Sequence, residues 1–176
     1  GFRDGEFRTL KGALSGSNLE LFLHELTRNV DRIDNFDKLP IPFRAVATDM
    51  VNGEQITFSS GRLYQAMRAS MSVPGMFSPV ELEGRILGDG GLVNNLPVDV
   101  VRAMGAEVVI AVNIGTPLAS RSQLSSIIGY ASQMLNILTE QNVRAQLGTL
   151  GPKDVLISPD LGDLTFIDFG KAPEFI

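Results

Sequence analysis

An aspartate set among glycines is the strongest sign of chemistry in this sequence. It stands in the run Gly88-Asp89-Gly90-Gly91, which follows a predicted strand. Because glycines allow tight turns and close backbone packing, such a run can hold a carboxylate in a fixed orientation. An aspartate held in this way can act as a general base on a serine hydroxyl within about 2.6–3.2 Å, provided that partial desolvation raises its pKa. The alternative is an ordinary turn aspartate beside glycines with positive φ.

Composition excludes several other kinds of chemistry. The 176 residues contain no cysteine, which removes thiol catalysis, disulfides and thiolate metal sites. The only histidine is His24, which we interpret as an ordinary residue at a helix surface or core edge. We therefore expect no metal ion and no cofactor. The net charge of -5 argues against nucleic acid as a partner, and no apolar run approaches the roughly 20 residues of a membrane-spanning helix.

Three blocks of the sequence resemble the patatin-like phospholipase family. They are Phe43–Asp49, Arg68–Val80 and Gly88–Val98, and the resemblance extends through about residues 10–170. The blocks are long and occur in the family's order, so they indicate the family more strongly than a short motif would. The resemblance implies an α/β fold with a doubly wound, mostly parallel sheet flanked by helices. It also implies a lipid acyl hydrolase of the phospholipase A or lysophospholipase type.

The resemblance assigns a catalytic role to Asp89, and the types of three neighbouring residues suggest supporting roles for them. The family uses a serine–aspartate dyad, and Asp89 matches the aspartate that takes the serine proton. Gly90, Gly91 and Asn94 are expected to support the turn that carries it. The implied substrate is a phospholipid or another acyl-ester lipid, which the protein reaches by transient membrane contact. A dyad of this kind needs no histidine, in agreement with the composition.

The sequence departs from the family pattern at the nucleophile. No Gly-x-Ser-x-Gly occurs, and in Gly12-Ala13-Leu14-Ser15-Gly16 the serine stands one place late. The glycine-rich oxyanion-hole segment is likewise missing. We therefore predict that residues 1–176 form a single domain that is the carboxyl-side part of a catalytic domain. An amino-side segment with Gly-x-Ser-x-Gly would be its partner, and the chain alone would be inactive.

The pattern of apolar, glycine and proline residues predicts an alternation of helices and strands around Asp89. Ser17 has the spacing of a helix cap, and Asn95 precedes a helix that Gly105 ends. The run 107–113 is apolar throughout, as in a strand covered on both faces. The predicted elements are a loop over 1–16, helices over 17–29, 62–71, 97–104 and 122–147, a loop over 73–79, and strands over 43–50, 54–58, 80–82, 85–87, 107–113 and 155–157.

The block before Gly88–Gly91 contains small side chains and larger apolar side chains. We expect structural roles for its three serines, Ser70, Ser72 and Ser78. Its larger apolar residues either line an acyl-chain channel or belong to the core; they are Met71, Met76 and Phe77.

Two further classes of function stay open at this point. One is a noncatalytic α/β module that binds a nucleotide or another ligand, suggested by the strand 107–113 running into Gly115. It lacks Gly-x-Gly-x-x-Gly and a Walker lysine. The other is an interaction module in which helix 122–147 forms a homodimer or packs on another domain. The apolar stripe of this helix is equally explained by packing on the sheet. The sequence of residues 37–49 is most similar to bacterial members of the family, so a secreted or cell-surface passenger domain is slightly favoured over a cytoplasmic protein.

Overall fold

The computed structural model describes residues 2–3, 6–7, 16–115, 118 and 127–160. The chain divides into two compact units, residues 1–94 and 95–176. Each unit combines helices and strands, and the predicted α/β class is confirmed. The Asp89 run lies in the first unit.

A short strand pair lies where we expected only a loop. β1 (Phe2–Arg3) and β2 (Glu6–Phe7) are antiparallel, with Phe2 opposite Phe7. The prediction of a loop over 1–16 is therefore wrong at these four residues, and residues 1, 4–5 and 8–15 lie outside the described residues. Two residues per strand are too few to produce a visible alternation of polar and apolar positions, so the pattern could not reveal them.

α1 (Gly16–Thr27) corresponds to the helix predicted over 17–29. Leu23 is its most buried apolar side chain among those described. Because the helix begins at Gly16, Ser17 lies in its first turn, and the prediction that Ser17 caps it is wrong. Helix ends depend on the last hydrogen bonds and shift by a residue or two from the position that the sequence pattern indicates.

A four-stranded sheet carries the Asp89 run in the first unit. Its strands have the order β4-β3-β6-β5, and each neighbouring pair is antiparallel. Both predicted hairpins are confirmed, with positive φ at Gly53 in one turn and at Glu83 and Gly84 in the other. The elements are β3 (Ala45–Asp49), β4 (Gln55–Phe58), α2 (Leu63–Ser70), β5 (Val80–Leu82) and β6 (Arg85–Asp89).

α2 covers this sheet through small side chains. Ala66 and Ala69 are buried, which allows the helix to lie close to β3 and β6. One core cluster joins Ala66 to Phe36, which is fully buried, and the other joins Ala69 to Leu87. Hydrophobic burial at this contact holds the end of β6 in place, because each fully buried large apolar side chain stabilises the fold by about 1.5–3 kcal/mol.

A single helical turn follows β6 and was not predicted. α3 (Gly91–Asn94) begins two residues after Asp89. The second unit then starts with α4 (Val98–Ala103), for which Asn95 was the expected cap. That prediction is wrong, because Pro97 precedes α4 without a side-chain bond and the Asn95 N–H donates to Asn142 Oδ1 over 2.8 Å.

The second unit contains a parallel strand pair packed against two helices. β7 (Ile110–Val112) pairs with β8 (Val155–Ile157), and α5 (Ile127–Leu147) lies between them in sequence. This is the parallel part of the described sheet structure. In the first unit, short turns join the hairpins β3–β4 and β5–β6, and such turns cannot connect parallel strands. The pair β3–β6 is also antiparallel, although β4, α2 and β5 lie between its strands in sequence. The predicted helix residues 122–126 lie outside the described residues.

The core of the second unit covers one face of β7, whereas all three residues of β8 are exposed, so the prediction of a buried strand at 155–157 is wrong as to burial. Val109 and Ala111 are buried against Leu96, Val98 and Val143. The alternate residues of β7 are exposed, and Ile110 is 66% exposed. The run 107–113 was expected to be covered on both faces, and among the described residues it is covered on one.

Candidate active site

Asp89 is the last residue of β6, and its side chain is partly buried. Its Oδ1 accepts a hydrogen bond of 2.7 Å from the Gly91 N–H. Oδ2 accepts none from any residue in the described part of the chain. Burial raises the pKa of Asp89, and the Gly91 N–H opposes this shift. The Asp89 carboxylate therefore has one oxygen fixed by the Gly91 N–H and the other unbonded by any described residue.

The backbone of Asp89 is held from two sides. Its N–H donates to the Ser72 carbonyl over 3.1 Å, and its carbonyl accepts from Thr48 Oγ1 over 2.7 Å. Thr48 is buried on β3, where Ala47 lies opposite Asp89 in the ladder. Because the N–H and the carbonyl of Asp89 are both hydrogen-bonded, its side chain is attached to a fixed stretch of backbone.

Gly90 is required because β3 comes close to it. A Cβ at this position would lie 2.1 Å from the Val46 carbonyl oxygen and 2.5 Å from its carbonyl carbon. Its φ is not in the left-handed region, nor is that of Gly91. The alternative interpretation, that these positions need glycine because the backbone there has a positive φ, is therefore wrong for both. Close backbone approach explains Gly90, and Gly91 supplies the N–H that orients the carboxylate.

Asn94 ties the turn to the edge of the sheet. The residue is buried, its Nδ2 donates to Gln55 Oε1 over 3.0 Å, and its N–H donates to the Gly90 carbonyl over 2.9 Å. Asn94 thus links β4 to the residue that follows Asp89. The supporting role of Asn94 in the Asp89 turn stays a prediction.

Arg68 is the residue near this turn that the sequence reasoning missed. It lies on α2 and is only 4% exposed, although arginine is rarely buried without a partner. The signal available in the sequence was its position four residues before Ser72, a spacing of about one helical turn. That spacing alone did not show that the guanidinium is buried.

Other residues singled out in the sequence stand apart from this arrangement. His24 is an exposed residue of α1 and meets the Tyr64 ring edge-on, with 4.8 Å between ring centroids. Ser15 lies outside the described residues. Within the described ranges no group of three acidic or histidine residues is placed to hold a metal ion. No helix there is long and apolar enough to cross a membrane.

A separate cavity of about 380 Å³ lies in the second unit. Asn113 and Gly115 at the end of β7 line it, together with Thr139 and Glu140 of α5. The described residues around it include an acidic side chain and no lysine or arginine. This lining disfavours a nucleotide phosphate, which binds to cationic groups and backbone N–H groups.

Comparison with known proteins identifies the family of this chain. The model of the patatin-like phospholipase family matches residues 1–102, more than half of the chain. An uncharacterized NTE family protein of Mycobacterium tuberculosis is 42% identical over 78 residues, which cover 44% of this chain and 22% of that protein. Patatin-like phospholipase domain-containing protein 7 of Rattus norvegicus is 39% identical over 90 residues, covering 50% of this chain and 7% of the relative.

The matches are confined to a small part of each relative. Patatin-like phospholipase domain-containing protein 6 of Mus musculus is 35% identical over 94 residues, again covering 7% of that protein. The chain thus spans about a fifth or less of the length of these curated relatives. The family match over residues 1–102 includes the Asp89 turn.

Proposed function

The chain belongs to the patatin-like phospholipase family, and we propose that it is the aspartate-bearing part of a lipid acyl-ester hydrolase. The observation that carries this proposal is the Asp89 carboxylate at the end of β6. It is partly desolvated, its backbone is bonded on both sides, and only one of its oxygens is bonded by a described residue. A general base needs a raised pKa and a free oxygen in a fixed position.

The proposed reaction uses a serine supplied by an amino-side segment with Gly-x-Ser-x-Gly. Asp89 Oδ2 takes the proton of the serine hydroxyl while the serine oxygen attacks the ester carbonyl of a lipid. The proton then passes to the departing alcohol, and water releases the fatty acid from the acyl-serine. The substrate class is a phospholipid or lysophospholipid reached by transient contact with a membrane surface. No metal or cofactor takes part in this scheme.

The decisive variant is Asp89→Asn in the complete protein, because it keeps the shape of the side chain and removes the base. Esterase kcat should fall by about 10²–10⁴-fold, the usual contribution of a general base. The matched control is Asp37→Asn, whose carboxylate pairs with Arg44 away from the turn. Full activity in Asp89→Asn would end the proposal.

A second experiment locates the nucleophile. A fluorophosphonate labels an activated serine, and intact-mass analysis shows which polypeptide carries the label. We expect the label on the segment with Gly-x-Ser-x-Gly and none on residues 1–176 alone. A label on this chain would instead assign the nucleophile to one of its own serines.

One observation favours an additional role in self-association. α5 exposes Tyr130, Met134 and Leu138, which recur at four-residue steps on one stripe, and Met134 is 66% exposed. We propose that this stripe contributes to a homodimer. Light scattering on the wild type and on a Met134→Lys, Leu138→Lys variant tests it. A folded variant with the same mass in solution as the wild type would contradict this role.

A further inference from the structure

Arg68 is a buried cation that makes no salt bridge with any described residue. A guanidinium removed from water destabilises the fold unless hydrogen bonds replace its hydration. Burial accordingly lowers the pKa of Arg68, while the negative charge of Glu20 acts in the opposite direction. The hydrogen bonds that the Arg68 guanidinium makes replace part of this lost hydration.

The guanidinium joins the two ends of the loop after α2. Its Nη1 donates to Ser72 Oγ over 2.6 Å, and its Nη2 donates to the Ser78 carbonyl over 3.2 Å. The Phe77 ring lies beneath it, with 5.2 Å from the guanidinium carbon to the ring centroid. Ser72 Oγ in turn donates to the Arg68 carbonyl over 2.8 Å. Arg68 therefore fixes both Ser72 and Ser78 relative to α2.

The same loop holds the backbone of Asp89. The Ser72 carbonyl accepts from the Asp89 N–H over 3.1 Å, and the Ser70 carbonyl accepts from the Gly90 N–H over 3.3 Å. The hydrogen bonds thus run from the guanidinium through Ser72 to the proposed base. We propose that Arg68 is a positioning residue, which orients the Asp89 carboxylate by fixing the carbonyls that hold its main chain. This inference rests on the proposed role of Asp89.

Arg68→Gln in the complete protein removes the guanidinium, whose two N–H groups bond to Ser72 and Ser78 like the prongs of a fork. The Asp89 turn should then move or fluctuate by a fraction of an ångström to about 1 Å, a displacement that can cost about 10²-fold in rate. We expect esterase kcat to fall 10- to 100-fold while KM stays within about twofold, because no substrate contact is removed. Arg68→Lys keeps the charge but not the fork, and it should recover part of kcat.

Amide hydrogen exchange reads the positioning effect directly. In Arg68→Gln the N–H groups of Asp89 and Gly90 should exchange at least about tenfold faster, while those of the β3–β4 ladder keep their rates. The matched control is Arg62→Gln, since Arg62 stands at the start of the same helix and bonds to Asp31 instead. It should change neither kcat nor the two amides.

Two results would overturn the inference. One is unchanged kcat together with unchanged exchange at Asp89 and Gly90, and the other is uniformly faster exchange throughout the first unit. If Arg68→Gln does not fold, Ser72→Ala replaces it, because that variant removes the Oγ acceptor and keeps the carbonyl. Activity retained in Asp89→Asn would refute the proposed function separately, and the exchange rates would still show whether Arg68 fixes the turn.

Discussion

Replacing Gly90 by alanine tests whether close backbone approach places the proposed base. The new Cβ would lie 2.1 Å from the Val46 carbonyl oxygen, whereas real Cβ contacts essentially never fall below 3.0 Å. The turn and β3 must therefore separate by about 1 Å. The opposing atoms are backbone, so no side chain can rotate away, and overpacking of this kind costs about 1–3 kcal/mol.

The same displacement moves Asp89, which is the neighbouring residue. We expect Gly90→Ala to lower the free energy of unfolding by about 1–3 kcal/mol and kcat by about 10²-fold. Urea unfolding and ester hydrolysis by the complete protein measure the two effects. Gly88→Ala is the control. Its new Cβ would lie 2.5 Å from Met50 Sδ, which belongs to a flexible side chain that can move aside, whereas the Val46 backbone cannot. Wild-type stability and kcat in Gly90→Ala would refute the close-approach argument.

Three further predictions follow from the described contacts. The stability of Asp89→Asn relative to wild type should increase as pH rises from about 4, the pKa of an aspartate in the unfolded chain. The reason is that the Asp89 pKa is raised in the folded state, so ionisation of this carboxyl destabilises the wild type above that pH. Thermal midpoints of both proteins from pH 4 to 8 measure this. Asp154→Asn should be less stable at pH 7, since bonds from the Gly151 and Val109 N–H groups and then Arg102 lower the Asp154 pKa. That deficit should shrink as pH falls below about 4, and urea unfolding at pH 7 and pH 3 checks it. Thr48→Val should cost about 0.5–1.5 kcal/mol through loss of the bond to the Asp89 carbonyl, with Thr48→Ser as the control in urea unfolding; equal midpoints for all three proteins would contradict it.

Local patterns in the sequence were sufficient for most of the elements around the site. The Asn52-Gly53 and Glu83-Gly84 turns, the apolar run at Val155–Ile157 and the glycine after α4 were each predicted and are present in the structure. These features depend on residues close together in the chain, where turn and periodicity rules apply. The helix start at Ser17 and the cap at Asn95 failed because a cap depends on a few hydrogen bonds and on packing around it.

What the sequence by itself determined was the presence of a carboxylate between glycines, the family that such a block indicates, and the absence of a Gly-x-Ser-x-Gly motif. Only the tertiary structure decided why those glycines are needed, because the contact between Gly90 and Val46 joins residues 44 positions apart. The buried guanidinium of Arg68 and the bond from Thr48 to Asp89 are likewise invisible along the chain. The physical reason is that burial and hydrogen-bond partners are set by packing between distant segments, and no local pattern encodes those distances.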